Sequence, residues 1–148
     1  MKWRFIDHGD DGLTVSTFPQ VTFPGSRSAS AKGVADAETS VLLPIQVAGP
    51  VGPVRLNADA GWKRSDHASA FSFGLAAARM AWPWLELLGE CHGEADTRFN
   101  GVGLLCGLGA RGELGPPASL LAAFAGGVAG PEDRRLNRRI YVGAQLRR

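Results

Sequence analysis

The feature that most constrains the fold is a strict alternation of apolar and polar residues. Its clearest instance runs from Val54 to Lys63, where every even position is apolar and every odd position is polar or glycine. Successive side chains of a β-strand point to opposite faces of its sheet, whereas a helix would spread both sets around its surface. This segment is therefore predicted to be a strand with one apolar face and one polar face.

The same alternation recurs along the whole chain and predicts about nine strands. They cover roughly residues 2–7, 13–24, 38–48, 53–64, 69–81, 84–95, 101–112, 119–129 and 137–147. Many of these segments have 10–12 residues. A typical globular strand has about 5–6 residues, whereas a tilted strand that crosses a membrane needs about 9–11. Strand length therefore favours a membrane barrel over a soluble sandwich.

Short and long connections alternate between the predicted strands. Glycine and proline mark tight links at 49–53, 82–83 and 115–117, and longer polar connections run over 25–36, 64–67, 95–100 and 130–137. An up-and-down meander has this order when one rim carries tight turns and the other carries loops. We predict an all-β fold: an antiparallel up-and-down meander like a transmembrane β-barrel, closed or incomplete, with residues 1–148 as one domain.

Composition fits this prediction and excludes several other classes. The mean hydropathy is −0.04, as expected when apolar and polar residues alternate, and 20 of the 148 residues are glycine. The net charge of +2 is too small to indicate a nucleic-acid partner. No run of about 20 apolar residues predicts a transmembrane helix. The first eight residues also lack the apolar core of a secretory signal, so we expect the chain to correspond to the C-terminal part of a longer barrel.

In a membrane barrel the apolar face contacts lipid and the polar face lines the lumen. The predicted lumen-facing residues are Arg55, Asn57, Asp59, Glu86, Glu90, His92, Arg111, Arg139 and Tyr141. The predicted members of an aromatic girdle at the membrane interfaces are Trp62, Phe71, Trp82 and Trp84. Aromatic residues near turns also cover the cores of soluble proteins. The interpretation of these four residues as a girdle therefore needs the support of strand length and of the order of the loops.

The order of several segments resembles a known family. They are 2–5 (Lys-Trp-Arg-Phe), 18–25, 54–62, 84–94, 107–111 and 125–133. Together they resemble the C-terminal part of the bacterial outer-membrane barrels grouped as "MetA-pathway of phenol degradation" proteins. The resemblance covers nearly the whole chain and depends on the order and spacing of individually weak motifs. It implies an outer-membrane location, contact with outer-membrane lipid, and transport of small organic, often aromatic, compounds.

The residues that could carry other chemistry fit a structural role better. Glu86, Glu90, His92 and Glu94 share one strand face, but no second cluster supports a metal site. No nucleophile elbow or nucleotide-binding loop is present in its required context. We therefore predict no enzyme activity, no metal and no cofactor. Cys91 and Cys106 have no metal-ligand spacing, and we expect unpaired packing thiols rather than a disulfide.

Three functions remain open. The leading one is a porin-like channel for small organic compounds, as a closed barrel, an incomplete barrel or an oligomer. The alternative is a soluble β-barrel or clam that binds a small apolar ligand, with its apolar face turned inward. The third is a structural remnant without transport activity. Pore size and substrate depend on loop folding and lumen radius, which the sequence does not specify.

Overall fold

The chain folds as a single antiparallel sheet. The computed structural model describes residues 2–9, 12–25, 38–99, 101–115, 118–130 and 139–146. Its strands are β1 (Trp3–Asp7), β2 (Thr14–Thr17), β3 (Gln20–Thr22), β4 (Ser40–Val51), β5 (Val54–Ser65), β6 (Ser69–Trp82), β7 (Leu85–Asp96), β8 (Gly103–Gly115), β9 (Ala118–Ala129) and β10 (Arg139–Leu146). Within those ranges no helix is long and apolar enough to cross a membrane.

Each strand pairs with its neighbours in chain order. The order is β1-β2-β4-β5-β6-β7-β8-β9-β10, with β3 on β4 beside β2, and every pairing is antiparallel. No pairing joins β1 to β10 in the described residues, so the sheet has two open edges. The predicted all-β, up-and-down meander is confirmed, in the form of an open sheet compatible with an incomplete barrel.

The structure has ten strands rather than nine because the predicted strand 13–24 is split. β2 ends at Thr17 opposite Ile45, and β3 begins at Gln20 opposite Leu42, so the register continues across the gap. Pro19 lies in that gap, and Pro44 of β4 lies across from the same gap, because the continued register places Phe18 opposite Pro44 and Pro19 opposite Leu43. Proline has no N–H to donate to a ladder. The two prolines therefore interrupt the pairing at the same place.

The predicted alternation of connections is found in part: residues 97–102 join β7 to β8, but the predicted longer connection at 64–67 is reduced to residues 66–68 because β5 continues to Ser65. Two residues, Gly52 and Pro53, join β4 to β5, and two more, Pro83 and Trp84, join β6 to β7 at the same rim. Gly52 has a φ of +59°, which glycine adopts at no steric cost. The first link is shorter than predicted because β4 continues through Pro50 to Val51. The predicted loops 25–36 and 130–137 lie almost wholly outside the described residues.

Strand register divides the sheet into two faces. One row runs Val47, Ala58, Leu75, Cys91 and Cys106 across β4 to β8. We call this side the apolar face. The adjacent row runs Asp7, Thr14, Ala48, Asn57, Ala76, Glu90, Gly107, Ala125 and Arg139 across all nine strands of the sheet order. We call this side the polar face.

Burial is inverted relative to a soluble sheet. The buried polar residues are Ser16, Ser40, Ser72 and Ser119, whereas Ala95 is the one buried hydrophobic residue in the described ranges. Pro44 is fully buried as well. Leucine, isoleucine, valine and phenylalanine side chains lie exposed on most strands, with Leu108 at 75% and Ile140 at 78%. The sheet therefore has no hydrophobic core of its own.

Candidate functional site

The polar face brings all nine predicted lumen-facing residues to one side of the sheet. Asn57, Glu90 and Arg139 lie on the row that crosses nine strands. A second row runs Arg55, Ala78, Leu88, Gly109, Ala123 and Tyr141 across β5 to β10. The register places Asp59, Glu86, His92 and Arg111 on the same side. That these nine residues share one face follows from the alternation in the sequence. Which residues lie beside them on adjacent strands depends on the strand register.

The polar face is the concave side of the sheet. Arg55 and Tyr141 are separated by five strand spacings, which would be about 24 Å on a flat sheet. Both nevertheless line one cavity with a volume of about 460 Å³. Together with the burial of Ser16, Ser72 and Ser119 on the same side, this arrangement indicates that the sheet curls toward its polar face. The apolar face is consequently convex.

Ion pairs connect neighbouring and next-neighbouring strands across the concave face. Arg111 of β8 lies 3.0 Å from the carboxylate of Glu86 on β7, and its Nε lies 3.9 Å from Glu113. Lys63 of β5 donates a 3.2 Å hydrogen bond to Glu94 of β7, over the intervening strand β6. The Glu86 side chain is only 18% exposed. The Arg111–Glu86 pair is therefore the better shielded of the two, and we expect it to stabilise the fold more.

The cavity between Arg55 and Tyr141 forms a trough with a floor of small residues. Ala76, Ala78, Gly107, Gly109 and Ala123 line it together with Leu88 and Leu121. Its polar groups are at the sides: Arg55 and Asn57 on β5, Glu90 on β7 and Tyr141 on β10. The Asn57 Oδ1 is buried and has no hydrogen-bond partner. An apolar pocket of this size with a few convergent polar groups is typical of a small-molecule site.

A second, smaller cavity of about 180 Å³ adjoins the trough at Arg55. Lys2, Arg4 and Asp7 also line it, and we call these four residues the basic corner. Arg4 pairs with Asp7 at 2.8 Å, and the Lys2 ammonium donates to the Gln46 side chain. Among the described residues that line this cavity, Asp7 is the one carboxylate beside these three cations. Arg55 belongs to both cavities.

The four predicted girdle aromatics lie near opposite ends of the sheet. Trp62 is directly opposite Phe71, and Phe71 stacks on Phe99 at 5.5 Å near the rim with the longer loops. Trp82 and Trp84 stack at 6.3 Å at the rim with tight turns. Their contact with membrane interfaces remains a prediction.

Charged residues occur on the apolar face of β4–β10 only near its rims. The register places two there: Arg64, opposite Val41 and Ser69, and Arg79, opposite Leu87. All the positions between these two arginines on the apolar side of β6 are phenylalanine, leucine or alanine. A continuous apolar band therefore crosses the middle of seven strands.

Cys91 and Cys106 form a disulfide, so the expectation of unpaired thiols is wrong. They are directly opposite each other on β7 and β8, with Cα atoms 4.1 Å apart. This spacing matches the closer, non-hydrogen-bonded kind of antiparallel pair, in which side chains approach each other most. Spacing in the sequence alone did not establish that the two positions pair in register.

Sequence reasoning also missed the basic corner, because Arg4 lies on the short strand β1 and Lys2 directly precedes it, and both come near Arg55 only through the pairing of β1, β2, β4 and β5. In the parts of the chain that the structure describes, no three His, Cys, Asp or Glu side chains gather as metal ligands.

Comparisons with protein-family models, curated proteins and solved structures found no match.

Proposed function

We propose that this chain forms a β-barrel, or part of one, in the bacterial outer membrane, with its apolar face toward lipid and its concave polar face along a path for small organic molecules. The observation that carries the proposal is the inverted burial: serines are buried, while leucine, isoleucine and phenylalanine are exposed. A soluble monomer rarely exposes a contiguous apolar patch of more than a few hundred Å². Lipid removes the cost of this exposure.

The dimensions of the apolar band support the same proposal. From Ser69, opposite Arg64, to Arg79 the chain of β6 advances ten residues. This corresponds to about 33 Å along the strand, or about 25 Å along the membrane normal at a tilt near 40°. Outer-membrane barrels have an apolar band about 25 Å tall. The arginines at its limits could extend their guanidinium groups to the headgroups.

The Cys91–Cys106 disulfide supports export from the cytosol. Structural disulfides persist in oxidising compartments such as the bacterial periplasm and the cell surface, and are rare in a reducing cytosol. The disulfide lies on the apolar face, where a bonded pair adds no polar group. It is therefore compatible with contact with acyl chains.

Reconstitution of the full chain tests this function. Protein refolded from urea into phosphatidylcholine vesicles is expected to float with them in a density gradient, and vesicle swelling in isosmotic arabinose should report a water-filled path. The urea-unfolded protein that is not refolded, mixed with the same vesicles, is the control. A monodisperse protein in detergent-free buffer that does not float would contradict the proposal and support the soluble barrel or clam. Flotation without swelling would support insertion of the sheet into the membrane and would contradict a water-filled path along its polar face.

The curvature of the sheet favours the membrane channel over the soluble alternative. A soluble barrel or clam requires the apolar face to be concave, so that it encloses its ligand. In this chain the concave side is polar, because Arg55 and Tyr141 line the same cavity. Membership of the "MetA-pathway of phenol degradation" barrels would agree with this orientation and stays part of the proposal.

A further inference from the structure

We propose that a groove on the apolar face binds one anionic phospholipid, with an acyl chain in the groove and the phosphate at Arg79. The groove has a volume of about 430 Å³ and lies over the Cys91–Cys106 disulfide, so we call it the disulfide groove. The inference deepens the proposed function and rests on it, because it requires the apolar face to contact lipid. It assigns one lipid class to one place on that face.

The shape of the disulfide groove suits an acyl chain. Ala77 and Gly89 lie directly opposite each other on β6 and β7, and with the disulfide they form its floor. The large exposed side chains that line it stand at its sides: Leu75, Leu108 and Phe124. None of these side chains carries a charge or a hydrogen-bonding group. A chain of methylene groups is the occupant that such a lining favours.

Glycine at position 89 leaves room that the fold itself does not need. A Cβ built on Gly89 would meet the Leu108 Cδ2 at 3.5 Å, which is an ordinary van der Waals contact. Glycine inside a strand weakens the strand and often marks a place where a ligand approaches closely. An acyl chain on the floor of the groove would be such a ligand.

Arg79 provides a positive charge at one end of the disulfide groove. It follows Ala77 by two residues on the same face of β6, about 7 Å along the strand. In the described residues no carboxylate shares the apolar face of β4–β10 with it. A guanidinium group holds a phosphate through paired, charge-assisted hydrogen bonds. The charge at this end therefore complements an anionic headgroup.

Distances along β6 match the length of one acyl chain. Leu75, which is opposite Cys91, precedes Arg79 by four residues. This corresponds to about 13 Å along the strand, or about 10 Å along the membrane normal at a tilt near 40°. The acyl chains of one leaflet span about half of the roughly 30 Å hydrocarbon core. A phospholipid with its phosphate at Arg79 can therefore lay an acyl chain over the disulfide.

The position of Arg79 also indicates which leaflet supplies the lipid. It lies near the rim with tight turns, where Pro83 and Trp84 join β6 to β7. Outer-membrane barrels have their short turns on the periplasmic side. The occupant is therefore a phospholipid of the periplasmic leaflet. Arg64, the other arginine of the apolar face, is near the opposite rim and donates a 2.8 Å hydrogen bond to Ser69.

Native mass spectrometry of the full chain refolded in non-ionic detergent micelles tests the assignment. The probes are dioleoyl phosphatidylglycerol, dioleoyl phosphatidylcholine and glycerol 3-phosphate, which has the phosphate without the chains. We expect one phosphatidylglycerol per protein, bound about 5-fold or more tightly than phosphatidylcholine, since one arginine near an anionic headgroup contributes about that much. Glycerol 3-phosphate should bind more weakly than either. Equal binding of the two phospholipids, or of glycerol 3-phosphate and phosphatidylglycerol, would overturn the proposal.

Matched variants locate the site. Arg79→Gln should abolish the preference for phosphatidylglycerol, whereas Arg64→Gln removes the other arginine of the same face and should keep it. Ala77→Leu fills the groove and should weaken binding of both phospholipids, whereas Ala144→Leu adds the same volume on the apolar face of β10 without effect. Unchanged binding in both Arg79→Gln and Ala77→Leu, with circular dichroism showing an intact sheet, would contradict the site.

The outcome is separable from that of the proposed function. A protein that floats with vesicles but shows no preference for phosphatidylglycerol would support the membrane sheet and reject this lipid site. A protein that does not float and binds neither phospholipid would contradict the proposed function itself.

Discussion

Leu105 and Leu108 are two leucines of the same strand, β8, and they lie on opposite faces of the sheet. Leu105 pairs with His92 on the concave polar face and is half-buried, whereas Leu108 is opposite Phe124 on the apolar face and 75% exposed. In a soluble protein the more exposed leucine would be the easier one to replace with a charged residue. If the apolar face contacts lipid, the order is reversed. The two faces therefore differ most in their surroundings: lipid at the apolar face and water at the polar face.

The largest expected effect comes from charging the middle of the apolar face. Leu108→Arg should lower the free energy of unfolding from vesicles by about 2–4 kcal/mol, the cost of arginine near a bilayer midplane. Leu105→Arg is the matched control on the polar face, and we expect it to cost less than about 1 kcal/mol, as lumen positions do not bear this penalty. Urea titration followed by tryptophan fluorescence measures both. Equal costs would remove the distinction between the faces.

Removal of the disulfide should have the next largest effect. The bond closes a loop with a sequence separation of 15 residues. Replacing both cysteines with alanine should therefore destabilise the protein by about 2–3 kcal/mol, because the unfolded chain regains conformational freedom. Urea titrations with and without reductant give the value, and the double variant should be insensitive to reductant. Loss of stability in reductant by the double variant would show that another process is responsible.

On the polar face, a smaller effect is expected from the Arg111–Glu86 pair. Glu86→Gln should cost about 1 kcal/mol, since the pair is partly shielded, and less at high salt. Lys63→Gln breaks the more exposed pair with Glu94 and should cost only a few tenths of that value. A double-mutant cycle at Arg111 and Glu86 isolates the coupling. A coupling free energy near zero would assign no stabilising role to this pair.

The smallest net effect is expected at Phe99, near the rim of the apolar face. Phe99 has a φ of +57° and stacks on Phe71. Phe99→Gly loses a stack worth about 0.5–1.5 kcal/mol and relieves a left-handed conformation costing about 1–2 kcal/mol, so the two nearly cancel. Phe99→Ala loses the stack without that relief and should be clearly less stable. Thermal unfolding of both distinguishes them, and a Gly variant less stable than Ala would contradict this reasoning.

The fold was more predictable from the sequence than the site. Period-two alternation, as in Val54 to Lys63, predicts the strands and the face that each side chain takes without any long-range information, and the order of short and long connections predicted the meander. Three features require register or curvature. The disulfide depends on Cys91 and Cys106 being opposite each other, the split at Pro19 depends on Pro44, and the basic corner depends on how the sheet brings Lys2 to Arg55.

The most direct measurement of the central claim is lipid quenching of single tryptophans on the two faces. In a background with Trp3, Trp62, Trp82 and Trp84 replaced by phenylalanine, Leu108→Trp and Leu105→Trp would be refolded into vesicles whose acyl chains carry bromine. Our account predicts strong quenching of the tryptophan at position 108 and little at position 105. Equal quenching at both positions, or none at position 108, would contradict a lipid-facing apolar face.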